Sequence, residues 1–198
     1  MSERHAWVKQ ELEQAQEVLN RFLADEQQLE KLVYATELMA HALKQGRKIL
    51  SCGNGGSMSD AMHFAEELSG RFRNDRRAYA ALALSDPAYL TCVANDFGFA
   101  EVFARGVEAL GQRGDVLLAI STSGNSANVL KAAETARARH MTVIALTGNS
   151  GGQLAALADV ELRVPHTGYA DRIQEVHIKL IHCMVGGVER LLADTPPA

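Results

Sequence analysis

The sequence predicts an α/β sandwich built on a parallel sheet and preceded by helices. Three observations carry that reading. Five short apolar runs, KILSCG, YAALALS, DVLLAIST, MTVIALTG and DVELRVP, recur between residues 48 and 165, each the length of a strand. The middle runs are apolar on successive residues, as in parallel strands covered on both faces. Helical stretches separate the runs, and this alternation implies right-handed crossovers between parallel strands.

In chain order, residues 5 to about 46 read as two helices. Leu12, Val18, Leu19, Phe22 and Leu23 recur at helical spacing, as do Leu29, Leu32, Val33, Leu38 and Leu43. Glu26 and Gln27 lie near the break, and Gly46 suits a helix end. No run in this segment offers a strand, so residues 1–46 are expected to form a helical extension of a single domain spanning 1–198. It would pack on the core or on another subunit. Further helices are expected over 58–72, 87–110, 126–139, 151–158 and 171–193. The final DTPPA reads as a frayed tail.

Composition narrows the function classes. Hydrophobic residues make up 47% and charged residues 22%, as in soluble globular proteins. The formal charge of −4 argues against nucleic acid as the main partner. No apolar run approaches the roughly 18 residues that span a bilayer, and MSERHAWVKQELEQ lacks the apolar core of a signal peptide. Cys52, Cys92 and Cys183 are scattered, with no C-x-x-C pair, so neither a disulfide framework nor a thiolate zinc knuckle is indicated. A reducing cytoplasm is the expected location.

Three of the predicted strands end in similar turns: CGNGGS, STSGNS and TGNSGG. In open parallel sheets, ligands sit outside the carboxyl ends of the strands. Nucleotide fingerprints fail here. Met58 stands where G-x-G-x-x-G needs its third glycine, and no G-x-x-x-x-G-K-[ST] string exists. STSGNS instead places the hydroxyls of Ser121, Thr122, Ser123 and Ser126 at a helix start, where hydroxyls and free amides together bind an anion. The plainer alternative is that Ser126 caps the helix. Gly55, Gly56 and Ser57 form a similar candidate turn.

The helix after CGNGGS carries His63 and Glu67 at i and i+4, on one face. Taken alone, such a pair also reads as a solvated helix surface. The last helix carries Gln174, Ile178 and His182 along one slowly drifting line. If the two helices met, His63, Glu67, Gln174 and His182 would offer a nitrogen and oxygen set suited to zinc or another divalent metal. GRFRNDRR gathers Arg71, Arg73, Arg76 and Arg77. It reads either as a solvated helix end or, through Arg71, as a reach toward a substrate phosphate.

With these segments assembled, the chain resembles the phosphoheptose isomerases, or sedoheptulose 7-phosphate isomerases, of the sugar isomerase (SIS) fold. The likeness rests on SCGNGGS, DAMHFAEEL, ANDFGF, GDVLLAISTSGNSANV, VIALTG and GYADRIQEVHIKLIH. The resemblance implies a three-layer αβα sandwich on a five-stranded parallel sheet, assembled as a homotetramer with active sites at subunit interfaces. It implies substrate contacts from Asn54, Gly55, Gly56, Ser57, Glu67, Arg71, Asn95, Asp96, Ser121, Thr122, Ser123, Ser126 and Gln174. It implies one zinc per subunit on His63, Glu67, Gln174 and His182, with Glu67 and His182 as the acid/base pair. Met58 departs from relatives with His or Ala after GGS.

The implied reaction converts D-sedoheptulose 7-phosphate to D-glycero-D-manno-heptose 7-phosphate through an enediol, in a bacterial cytoplasm, for lipopolysaccharide core or another heptose glycan. Two alternatives stand beside it. One is a non-catalytic SIS regulator that binds sugar phosphate, expected to lack the acid/base pair. The other is an isomerase of the same fold acting on a shorter sugar phosphate.

Overall fold

The computed structural model describes residues 3–193, so the DTPPA tail lies outside the described residues. Helix α1 (Ala6–Leu23) and helix α2 (Glu26–Lys44) come first, after a short 3-10 turn at Glu3–His5. The break between them is fixed by Asp25, whose side chain accepts from the Gln28 amide and caps α2. Then follow β1 (Ile49–Gly53), α3 (Gly56–Ser69), β2 (Ala81–Ala83), α4 (Pro87–Phe97) and α5 (Ala104–Leu110). The chain continues through β3 (Val116–Ser121), α6 (Ala127–Ala138), β4 (Thr142–Thr147), α7 (Leu154–Leu157), β5 (Val160–Arg163) and α8 (Ala170–Leu192).

The five strands form one all-parallel sheet in the order β2-β1-β3-β4-β5. The five expected strands all form, although β2 is shorter than the run YAALALS and lies at an edge. Central β3 and β1 are buried at every residue, which explains their unbroken apolar runs. One face of the sheet carries α1, α2, α3 and α8, around Phe22, Met39, Phe64, Ile120 and Met184. The other carries α4, α5, α6 and α7, around Leu50, Val107, Leu117 and Ala133. This is the expected three-layer αβα sandwich.

The expected helix over 87–110 is two helices. Gly98 adopts φ 89°, a left-handed value that ends α4, and a 3-10 turn at Phe99–Glu101 precedes α5. The helix expected over 151–158 shrinks to the single turn of α7 because Gly151 and Gly152 both take positive φ. The two N-terminal helices dock on the domain itself. Buried Arg172 at the root of α8 reaches Gln14 at 2.8 Å and Glu11 of α1, while Gln28 of α2 accepts from the Arg163 amide at 2.9 Å.

The strand register sets the site. Gly53 pairs with Ile120 and Ser121 with Thr147, so the loops leaving β1, β3 and β4 emerge side by side.

Candidate active site

Helices α3 and α8 lie on the same face and run in the same direction, touching at two levels. At the first, Gln174 lies against the glycine turn: a methyl group on Gly56 would sit 2.6 Å from its Oε1. At the second, two turns further along both helices, His63 Nε2 meets His182 Nε2 at 3.0 Å. Glu67 Oε1 lies 3.3 Å from the same His63 nitrogen, and ligand atoms of all three side chains fall within 4.8 Å of one another. Glu66 Oε1 stands 3.2 Å from His63 Nδ1 and orients the ring from outside.

A neutral imidazole carries one N–H. Two Nε2 atoms in contact are therefore either opposite tautomers sharing a proton or two lone pairs turned toward a common cation. The second arrangement, completed by a carboxylate oxygen, is the donor set of a zinc site with room for further ligands. His63, Glu67 and His182 thus fit a divalent metal. Partial burial and the neighbouring His63 hold the His182 ring below its ordinary pKa, keeping it neutral near pH 7. One turn before His63, burial pushes the Asp60 carboxyl up to about 6 against the opposing pull of His63. Its Oδ2 has no partner among the described residues.

The glycine turns stand two helical turns from this cluster, on the Gln174 side. Gly53 must lack a side chain, since a Cβ there would lie 2.7 Å from the Ser57 carbonyl oxygen. Gly55, at φ 55°, turns the chain into α3. In STSGNS, the Ser121 and Ser126 hydroxyls bond each other across the turn at 3.0 Å. Ser126 makes no side-chain cap on α6, so its hydroxyl is not consumed by capping. Ser123 Oγ accepts from the Asn125 amide at 3.2 Å, and Thr122 is half-buried between them. Gly124, at φ 65°, lets this turn close on the β4 loop, where the Leu154 amide bonds the Gly124 carbonyl at 2.9 Å.

Asn128 was missed as a site residue. It stands in the first turn of α6, is 2% exposed, and exchanges two amide hydrogen bonds with Asn54, at 2.9 and 2.8 Å. It ties the first glycine turn to the second. The signal in sequence was the Asn of GNSAN, which reads there as one more turn residue. Asn128→Ala is expected to cost about 2 kcal/mol of stability, because Asn54 loses both partners in a half-buried position. Urea unfolding checks it.

The remaining expected site residues lie elsewhere. Asn95 and Asp96 sit exposed on α4, on the opposite face of the sheet from α3 and α8, and bond each other at 2.7 Å. Arg71, just past α3, is exposed and paired with Asp75 at 2.7 Å.

Glycine turns side by side at the carboxyl ends of a parallel sheet, with a histidine–carboxylate cluster on the helix that follows the first, fit a sugar-isomerase type of α/β protein. The family model described as SIS domain matches residues 12–148. A curated phosphoheptose isomerase of Aeromonas hydrophila is 62% identical over 186 residues, covering 94% of this chain and 97% of its own length. That of Vibrio cholerae is 57% identical, with the same coverage. Among solved structures, the phosphoheptose isomerase of Neisseria gonorrhoeae aligns with TM-score 0.86 at 46% identity, covering 92% of this chain and 97% of that one. The Francisella tularensis phosphoheptose isomerase aligns with TM-score 0.89 at 37% identity, covering 96% and 100%. The chain belongs to the SIS-domain family and, within it, to the phosphoheptose isomerases.

Proposed function

We propose that this chain is an aldose–ketose isomerase that converts D-sedoheptulose 7-phosphate to D-glycero-D-manno-heptose 7-phosphate. The observation that carries the reading is the meeting of Glu67 and His182 across two helices, beside three glycine turns that can hold a phosphorylated polyol. The names of relatives at 57–62% identity support the heptose substrate.

In this reading the Ser121, Ser123 and Ser126 hydroxyls and the first amides of α6 receive the phosphate. Asn54 to Ser57 bind sugar hydroxyls, Gln174 closes the site beside them with Thr122, and Asn95, Asp96 and Arg71, which lie away from this site in their own chain, would serve the site of a neighbouring subunit. Only Oε1 of Glu67 meets His63, which leaves its second oxygen to act as base. That oxygen takes the proton from C1 of the open-chain ketose while His182 supplies a proton to the C2 oxygen, giving the enediol. His182 then takes up the O1 proton and Glu67 delivers its proton to C2, which completes the aldose and returns both groups to their starting states. His63, Glu67 and His182, with Gln174 as the fourth expected ligand, would hold one zinc per subunit, which would polarise the sugar oxygens. Assembly as a homotetramer with active sites at subunit interfaces is part of the proposal. Val33 and Tyr34 of α2 and Leu191 of α8, each more than half exposed, are apolar groups that a neighbouring subunit would cover. So are a cytoplasmic location and a role in supplying heptose for lipopolysaccharide core or a related glycan. No helix among the described residues is long and apolar enough to cross a membrane.

Incubation with sedoheptulose 7-phosphate, followed by NMR, is expected to show a new aldose with a C1 proton. Prior treatment with a chelator is expected to lower the rate, and added zinc to restore it. Failure to form an aldose from the heptulose, with turnover of a shorter ketose phosphate, would reject the substrate.

A further inference from the structure

The arginine-rich loop after α3 is a solvated helix end only in part: Arg71 and Arg73 are exposed, while Arg76 and Arg77 are withdrawn from solvent. It builds one wall of a cavity of about 580 Å³ whose other wall is the last turns of α8, from Gly186 to Ala193. Four arginines line it: Arg73, Arg76, Arg77 and Arg190. Arg76 is fully engaged. It donates to Glu189 at 2.9 Å and to the carbonyls of Glu67, Leu68, Gly70 and Arg77, so it closes the C-terminal end of α3. Glu189 is thereby neutralised, and Asp75, the other acid at the cavity, is taken by Arg71.

Among the described residues, Arg73, Arg77 and Arg190 then have no carboxylate partner. Arg77 goes further: its Nε is buried and has no hydrogen-bond partner among the described residues. A buried guanidinium N–H without an acceptor is costly, and a group supplied from outside would remove that cost. The guanidinium is also held in place, since Arg76 and Arg77 lie over the Tyr79 ring at 4.6 and 5.6 Å. Arg73 lies over Phe72 at 4.9 Å. Phe72 packs on His182 with ring centroids 5.7 Å apart, which sets the cavity next to the catalytic cluster and apart from the serine turn.

We propose that this cavity is a second anion site, which takes a compact phosphorylated ligand on the forks of Arg73, Arg77 and Arg190. The volume suits a small metabolite. Three guanidinia lining one cavity favour an oxyanion with several acceptor oxygens, a phosphate ester or a diphosphate, over a simple carboxylate.

Inorganic pyrophosphate is the probe, titrated by calorimetry into the full-length Glu67→Gln protein so that sugar phosphate can be present with its turnover slowed by about 10²–10⁴. Binding is expected to persist when sedoheptulose 7-phosphate is saturating. Arg77→Gln and Arg190→Gln are each expected to weaken it by about tenfold or more, as loss of a charge-assisted hydrogen bond requires. Arg21→Gln, an equal change of charge on α1, is expected to leave it unaltered. Arg190 is exposed, so its variant stays informative if Arg77→Gln fails to fold. The proposal is overturned if pyrophosphate does not bind, if sedoheptulose 7-phosphate displaces it, or if Arg21→Gln weakens it as much as Arg190→Gln.

Discussion

Replacing Glu67 by Gln is expected to lower turnover of sedoheptulose 7-phosphate by about 10²–10⁴, the usual worth of a positioned acid or base. The substitution keeps the size of the side chain and one carbonyl oxygen near His63, so the fold and the glycine turns have no reason to change. What it removes is the only carboxylate in the three-residue cluster. His182→Gln is expected to fall in the same range. The two should not add, because they act on one proton-transfer sequence. Steady-state rates of the single and double variants, each with its bound metal content measured, check this. Near-normal rates in both single variants, with metal retained, would reject the assignment.

Lowering the pH from 7 to 4 is expected to remove about 3 kcal/mol of stability through His177 alone. This ring is 0% exposed on α8 beneath the end of β4. Burial takes its pKa down from 6.5 to about 4, against a partial opposing effect from the hydrogen bond to the Thr147 carbonyl at 2.9 Å. That carbonyl accepts, so Nε2 carries the proton, and Nδ1 is left buried without a partner among the described residues. The unfolded chain takes up a proton near 6.5 and the folded chain only near 4. Stability is therefore complete above 6.5 and declines as pH falls, by about 2 kcal/mol at pH 5. Other groups titrate in the same window, so the comparison is with His177→Gln, whose amide can donate to the same carbonyl without titrating. Urea unfolding at pH 7 and pH 5 should show a smaller loss in the variant. An equal loss in both would contradict the prediction.

The strands were legible because burial on both faces leaves an apolar run that few other elements produce, as in VLLAIS and TVIALT. The break at Gly98 was not, because helical spacing continues across it and only the backbone angle reveals the stop. The turns were visible as glycine and asparagine clusters, yet their joining by Asn54 and Asn128 spans 74 residues, and nothing local records it. The same holds for His63 and His182, 119 residues apart. Sequence spacing placed each on a suitable helix face, while only the packing of α3 on α8 could bring the faces together. The arginines misled for a further reason: charge in a sequence reads as solvated, and Arg76 shows a guanidinium can instead be consumed by the carbonyls of a helix end.

Helix α8 works as a ruler. It delivers Gln174 to one rung of α3 and His182 to another, with seven residues between them and no flexible joint. One residue inserted in that interval would swing everything beyond it by about 100° and carry the imidazole off the cleft, while the glutamine stayed at its post. The same insertion in the loop before Tyr169 would meet no such penalty. The spacing inside a plain-looking helix is thus as much a part of the proposed site as the side chains it carries.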